Sequence, residues 1–115
     1  MRRVDKPWGH EIIWSDTDLY VGKILVVRAG HRLSLQYHLQ KDESFLIDEG
    51  EVELSLDDEH GDLQLHRLGA GDAVRILPGR RHRLRAITDC RVLEVSTPHL
   101  DDVVRVSDDF GRVEG

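Results

Sequence analysis

The chain has few of the features that would fix it covalently or place it at a membrane. Its single cysteine, Cys90, excludes an internal disulfide. The setting of that residue, Cys90-Arg-Val-Leu-Glu-Val, alternates apolar and polar positions and reads as a strand with a buried, structural thiol. No apolar run approaches the ~20 residues that a membrane-spanning helix needs. Met1-Arg-Arg-Val-Asp leads into a polar segment and not into the apolar core of a signal peptide, so a cytoplasmic protein without membrane contact is expected. Basic charge is also scarce: 16 Lys and Arg stand against 22 Asp and Glu, for a net charge of −6. That balance argues against a nucleic-acid partner, because phosphate-backbone affinity needs a basic face. Aromatic residues make up only 5% of the chain, and Trp8 and Trp14 are read as covering a barrel mouth or a subunit contact.

Helical periodicity is missing as well. Short runs rich in Val, Ile and Leu recur about every ten residues between Gly, Asp and Pro, the pattern of a β-sandwich or barrel. Strands are expected near 9–14, 20–28, 33–39, 44–49, 51–56, 63–68, 73–77, 82–87, 90–96 and 103–106. In Glu51-Val-Glu-Leu-Ser-Leu56 the alternation points Val52, Leu54 and Leu56 to the core. Asp57-Asp-Glu-His-Gly-Asp62 is read as a solvated hairpin loop, since it lacks a calcium-loop ligand pattern. The 115 residues are expected to form one domain, 1–115.

The chemistry concentrates between Gly30 and Gly50. Gln36 and His38 are two apart, so on a strand their side chains point to one face, with Leu33, Leu35, Tyr37 and Leu39 on the other. Glu43 opens the next apolar run, and a hairpin would return its carboxylate beside them. In Pro78-Gly-Arg-Arg-His82 a turn feeds a new strand whose first inward residue is an imidazole. Together Gln36, His38, Glu43 and His82 make a candidate set of metal ligands. Arg80, Arg81, Arg83 and Arg85 surround His82 and are read chiefly as a solvated stripe paired with acidic residues. Arg80, in the turn, is the one placed to reach a pocket and bind a phosphate as a substrate-binding residue.

The spacing from Gly30 through Gln36-x-His38 and Glu43 to Gly50, followed by Gly71…Pro78-Gly79-Arg-Arg-His82, resembles the two motifs of the cupins, with Gln36 in place of the first His. Lys6-Pro-Trp-Gly9, Arg32-Leu-Ser-Leu-Gln36 and the tail Val104-Arg-Val-Ser-Asp-Asp-Phe-Gly-Arg112 resemble the cupin domain of type II mannose-6-phosphate isomerases over nearly the whole chain. The chain departs from that family in having Leu39 and Gln40 where further His are usual, and Phe45 where a Trp is usual. Many members carry an upstream nucleotidyltransferase domain, for which this chain is expected to have no counterpart.

The resemblance implies an all-β, jelly-roll-like double-stranded β-helix and a divalent metal, zinc first, with iron, manganese or nickel as alternatives. It implies aldose–ketose isomerisation of a small-molecule sugar phosphate or related metabolite, with Lys23 and Arg112 as the catalytic or substrate-handling residues, and a homodimer. A Gln, two His and one Glu leave a dication net positive, which suits polarisation of a carbonyl. The alternatives are a non-catalytic sugar- or metabolite-binding cupin and another metal-dependent cupin enzyme such as a dioxygenase.

Overall fold

The structure, a computed structural model, describes residues 1–112. In chain order the strands are β1 (Arg2–Lys6), β2 (Gly9–Asp16), β3 (Val21–Val27), β4 (Leu35–Tyr37), β5 (Glu43–Glu49), β6 (Glu51–Asp57), β7 (Leu63–Gly69), β8 (Ala73–Ile76), β9 (His82–Ala86), β10 (Cys90–Ser96) and β11 (Val104–Ser107). They form two antiparallel sheets, one ordered β1-β2-β3-β10-β5-β8 and the other β11-β4-β9-β6-β7. The fold is all-β, as the spacing of apolar runs predicts, and is the double-stranded β-helix that the resemblance implies. Among the described residues no helix is long and apolar enough to cross a membrane.

Ten of these strands coincide with expected ones. The eleventh, β1, is Arg-Arg-Val-Asp-Lys, an edge strand paired only with β2 and carrying little apolar signal. Two local expectations are corrected. Glu43 does not return beside Gln36 in a hairpin, because β4 and β5 lie in different sheets and face each other across the interior. Leu33, expected on the outer face, precedes β4 and packs against the core.

The inward faces explain both core and cavity. On β3 the inward residues run Val27, Leu25, Lys23; on β5, Ile47, Phe45, Glu43; on β9, Ala86, Leu84, His82; and on β10, Cys90, Val92, Glu94. All of these residues are buried. Register brings the aliphatic ends together, with Val27 opposite Cys90, Leu25 opposite Val92 and Val52 opposite Ala86. One end of the barrel is therefore a packed apolar core, in which each fully buried aliphatic contributes about 1.5–3 kcal/mol. The other end is lined by ionisable groups. Burial pushes the Cys90 thiol up to about 11, so it stays protonated and inert, in keeping with a structural role.

Gly50 closes the β5–β6 turn at φ +89°, and a Cβ there would meet the Asp89 carbonyl oxygen at 2.4 Å, so the boundary glycine of the motif is required twice over.

Candidate metal centre and cavity

His38, Glu43 and His82 come from different parts of the two sheets. Their ligand atoms lie within 4.8 Å of one another. All three are buried, at 3%, 2% and 2% exposure. His82 opens β9, and its register neighbours are Gln36 on β4 and Leu56 on β6. His38 follows β4 and is fixed by the turn that leads to His82: the Gly79 N–H donates to the His38 carbonyl at 2.7 Å, with Gly79 at φ +83°.

The backbone sets the orientation of both imidazoles. His38 Nδ1 faces the Asp102 carbonyl at 2.5 Å, and His82 Nδ1 faces the Arg80 carbonyl at 2.9 Å. A carbonyl only accepts, so both Nδ1 atoms donate and both Nε2 atoms turn toward Glu43. The Nε2 atoms sit 3.2 and 3.3 Å from the Glu43 oxygens. Yet both Nε2 atoms and Glu43 Oε1 are buried without a hydrogen-bond partner among the described residues, and Glu43 Oε2 is met by the Lys41 ammonium at 2.9 Å. In the neutral rings, lone pairs alone converge on one point, an arrangement that fits a cation of borderline softness. Burial pushes the Glu43 carboxyl up, but hydrogen bonds from the two Nε2 atoms when those carry protons, together with the Lys41 ammonium, more than offset it and hold the carboxyl well below its usual range. Gln36 lines the same cavity, and its Oε1 accepts a hydrogen bond from Ser34 Oγ at 2.8 Å, which leaves its second lone pair.

Asp102, in the β10–β11 connection, organises the loop between His38 and Glu43. Its carboxylate accepts the N–H groups of Leu39, Gln40 and Lys41 at 2.7–3.0 Å. Burial is the largest single cause and pushes its pKa up, but the three N–H donors together outweigh it and hold the carboxyl below the ordinary value. Asp102→Ala keeps the carbonyl that orients His38 but loses the three contacts that hold it in place, and is expected to weaken metal affinity by roughly 10–100-fold with the fold retained, the usual loss for outer-shell partners of metal ligands. Competition titration against a zinc chelator measures this, and an unchanged affinity would deny Asp102 that role.

A cavity of about 570 Å³ opens beside the cluster, lined by six basic and four acidic side chains in a chain whose overall charge is −6. Lys23 and Arg112, singled out by resemblance, both line it. Lys23 Nζ is 3.5 Å from Glu11 Oε1, and Arg112 is held by Asp108 through Nε at 3.0 Å and Nη2 at 3.1 Å. Arg80 is not part of this lining. Its Nε binds Asp57 Oδ1 at 2.6 Å and its Nη2 the Asp57 carbonyl, so the guanidinium is spent on the β6–β7 loop. Arg81, Arg83 and Arg85 pair with Asp57, Asp109 and Glu53, as expected of a charged outer stripe. Of the tryptophans, Trp8 is buried in the core and at the cavity wall, whereas Trp14 lies half exposed over Gly22.

Two cavity residues not singled out from the sequence are Lys41 and Glu94. Lys41 Nζ lies 2.9 Å from Glu43 Oε2 and 3.0 Å from Glu94 Oε2, bridging the ligand cluster to a second buried carboxylate. Burial, reinforced by the charge on Glu43, raises the Glu94 pKa despite Lys41 and Lys23. The signal was present in the alternation: Cys90 and Val92 point inward, so Glu94 must as well.

Comparison with known proteins agrees with this architecture. Residues 23–96 match the Cupin domain family. Mannose-1-phosphate guanylyltransferase of Escherichia coli (strain K12) is 32% identical over 117 residues, which cover 97% of this chain and 23% of that protein. Among solved structures, KdgF from Halomonas sp. superposes with a TM-score of 0.75 at 20% identity, covering 85% of this chain and 88% of that one. The oxalate decarboxylase of Lactobacillus farciminis, in a formate complex, superposes with a TM-score of 0.78 at 15% identity, covering 91% of this chain and 33% of that one. At these identities the two structures are similar in fold alone.

Proposed function

The chain belongs to the cupin family, and from that premise we infer that it is a metal-dependent isomerase interconverting the aldose and ketose forms of a sugar phosphate. The observation that carries this reading is the meeting of the unpartnered Nε2 atoms of His38 and His82 with Glu43 Oε1 at the wall of a cavity with surplus positive charge. Gln36, His38, Glu43 and His82 are the residues that hold the ion, with zinc proposed from the nitrogen and oxygen donors. When bound, such an ion supplies Lewis-acid polarisation of the substrate oxygens. The likeness to a protein named for mannose 1-phosphate supports the sugar-phosphate class.

The chain's own groups divide the remaining work. Isomerisation takes the proton from C2 of the aldose and returns it to C1 to give the ketose, so one base must face both carbons. Glu94 is that base in this reading, a buried carboxylate steered by Lys41 and opposite Lys23 in register. Lys23 and Arg112 bind and orient the substrate from the cavity wall. A non-catalytic metabolite-binding role is the second reading. It is favoured by the pairing of Glu94 and Lys41 with each other, which leaves neither group free.

Incubating the zinc-loaded protein with mannose 6-phosphate in heavy water is expected to yield fructose 6-phosphate with solvent deuterium on the transferred position, read by NMR. Binding without exchange would leave the non-catalytic reading standing. An absence of both binding and exchange would remove both.

A further inference from the structure

The cations of the cavity are grouped. Lys6 ends β1, Lys23 lies on β3, Arg105 on β11 and Arg112 just beyond it, and all four line the cavity. Three carboxylates face them, Glu94 among them as the register partner of Lys23. Glu11 Oε1 lies 4.0 Å from Lys6 Nζ and 3.5 Å from Lys23 Nζ, while Asp108 holds Arg112. Arg105 Nε is buried with no hydrogen-bond partner among the described residues. An unfilled buried donor is costly, so its presence signals an acceptor that enters the cavity. The four groups also feel one another: burial is the main cause that lowers the Lys6 pKa, Glu11 opposes it, and Lys23, Arg105 and Arg112 lower it further.

Register fixes where this group lies. In one sheet Arg2, Ile13, Lys23, Glu94 and Phe45 form a single row across neighbouring strands. In the other, Arg105, Gln36, His82 and Leu56 form a second. Lys23 is thus one strand from Glu94, and Arg105 is one strand from Gln36 and two from His82. Neighbouring strands are about 4.8 Å apart, so the backbone of Arg105 lies roughly 5 Å from Gln36 and roughly 10 Å from His82, within reach of a six-carbon chain.

We propose that Lys6, Lys23, Arg105 and Arg112 form an anion subsite for the phosphoryl group of a phosphate monoester, set beside the ligand cluster. Glu11 answers Lys6 and Lys23, Glu94 stands opposite Lys23 and Asp108 holds Arg112, so Arg105 is the cation of the group left without a carboxylate among the described residues, its Nε–H free for a phosphate oxygen. Ammonium and guanidinium donors approaching from three strands and the tail surround a tetrahedral group better than a planar carboxylate. The cavity, about 570 Å³, is within the size range of small-molecule sites. That the phosphate is borne by a hexose rests on the isomerase reading; the subsite itself does not.

Isothermal titration of the zinc-loaded full chain with inorganic phosphate tests this. Saturable binding is expected, weakened about tenfold or more in Arg105→Gln and in Lys6→Gln, with zinc content and circular dichroism unchanged in both. The same titration of His82→Ala separates phosphate held by the cations from phosphate held by zinc, and binding is expected to survive there. No binding to the parent protein, equal binding in both cation variants, or loss of binding with zinc alone would overturn the subsite. Phosphate binding without isomerase turnover would remove the isomerase reading and leave the subsite in place.

Discussion

Replacement of His82 by alanine is expected to take metal content from about one divalent ion per chain to near zero, and His38→Ala to do the same. Each imidazole presents Nε2 to the Glu43 carboxylate, and each is held from behind by a backbone carbonyl. The site is thus pre-formed, and its ligands are not recruited from flexible side chains. Removing one leaves only Glu43, the remaining His and the weak amide donor of Gln36, with the Lys41 cation close by. The loss should also appear in stability. A ligand present at about 100 times its dissociation constant stabilises the native state by roughly 2.7 kcal/mol. For a domain of this size each kcal/mol shifts Tm by about 4–8 °C. Zinc should therefore raise the melting temperature of the parent protein by roughly 10–20 °C and that of the two variants by almost nothing. Elemental analysis and calorimetry on the same samples decide it. Full zinc stoichiometry in either variant would remove that histidine from the ligand set.

The parts of this site legible in the sequence are those that local rules control. Period-two alternation placed Gln36 and His38 on one face, and a Pro-Gly turn placed His82 at the start of a strand. The boundary glycines did the rest, since Gly50 has no room for a side chain and Gly79 reaches back to His38. What sequence alone left out is set by pairing between distant strands. Nothing local says that β4 and β5 part into different sheets, so Glu43 meets the histidines across the barrel and not along a hairpin. Arg105 borders Gln36 only because β11 pairs with β4, a ladder closed after a long connection. Arg80 illustrates the opposite case. A turn arginine is free on paper to reach a pocket, but Asp57, 23 residues earlier, holds its guanidinium and caps the Arg81 N–H as well. Lys23 and Glu94 lay between the two cases: strand parity points both inward, flanked by Val21 and Leu25 or by Val92 and Ser96, and a buried charge on an otherwise aliphatic face is itself the signal of a site.

Glu94→Gln is expected to lower turnover of the sugar phosphate by roughly 10²–10⁴-fold, the usual contribution of a positioned acid–base group. Metal content and phosphate binding should be unchanged. The substitution keeps the shape of the side chain and its place opposite Lys23, and Lys41 keeps Glu43 as an anionic partner at 2.9 Å, so no buried cation is stranded. The carboxylate alone is removed, and with it the group that receives the C2 proton in the proposed scheme. Exchange of that proton with solvent is the readout that separates chemistry from structure, because a merely structural Glu94 would alter stability or affinity and leave exchange per bound substrate intact. Arg112→Ala supplies the contrast. Its guanidinium reaches the cavity from the tail and is held by Asp108, so its loss should raise the KM for the phosphorylated sugar more than it lowers kcat. Retention of full C2 exchange in folded, zinc-loaded Glu94→Gln would take the base assignment away from Glu94. Lys23, the other buried titratable group in its register row, would then be the residue to test.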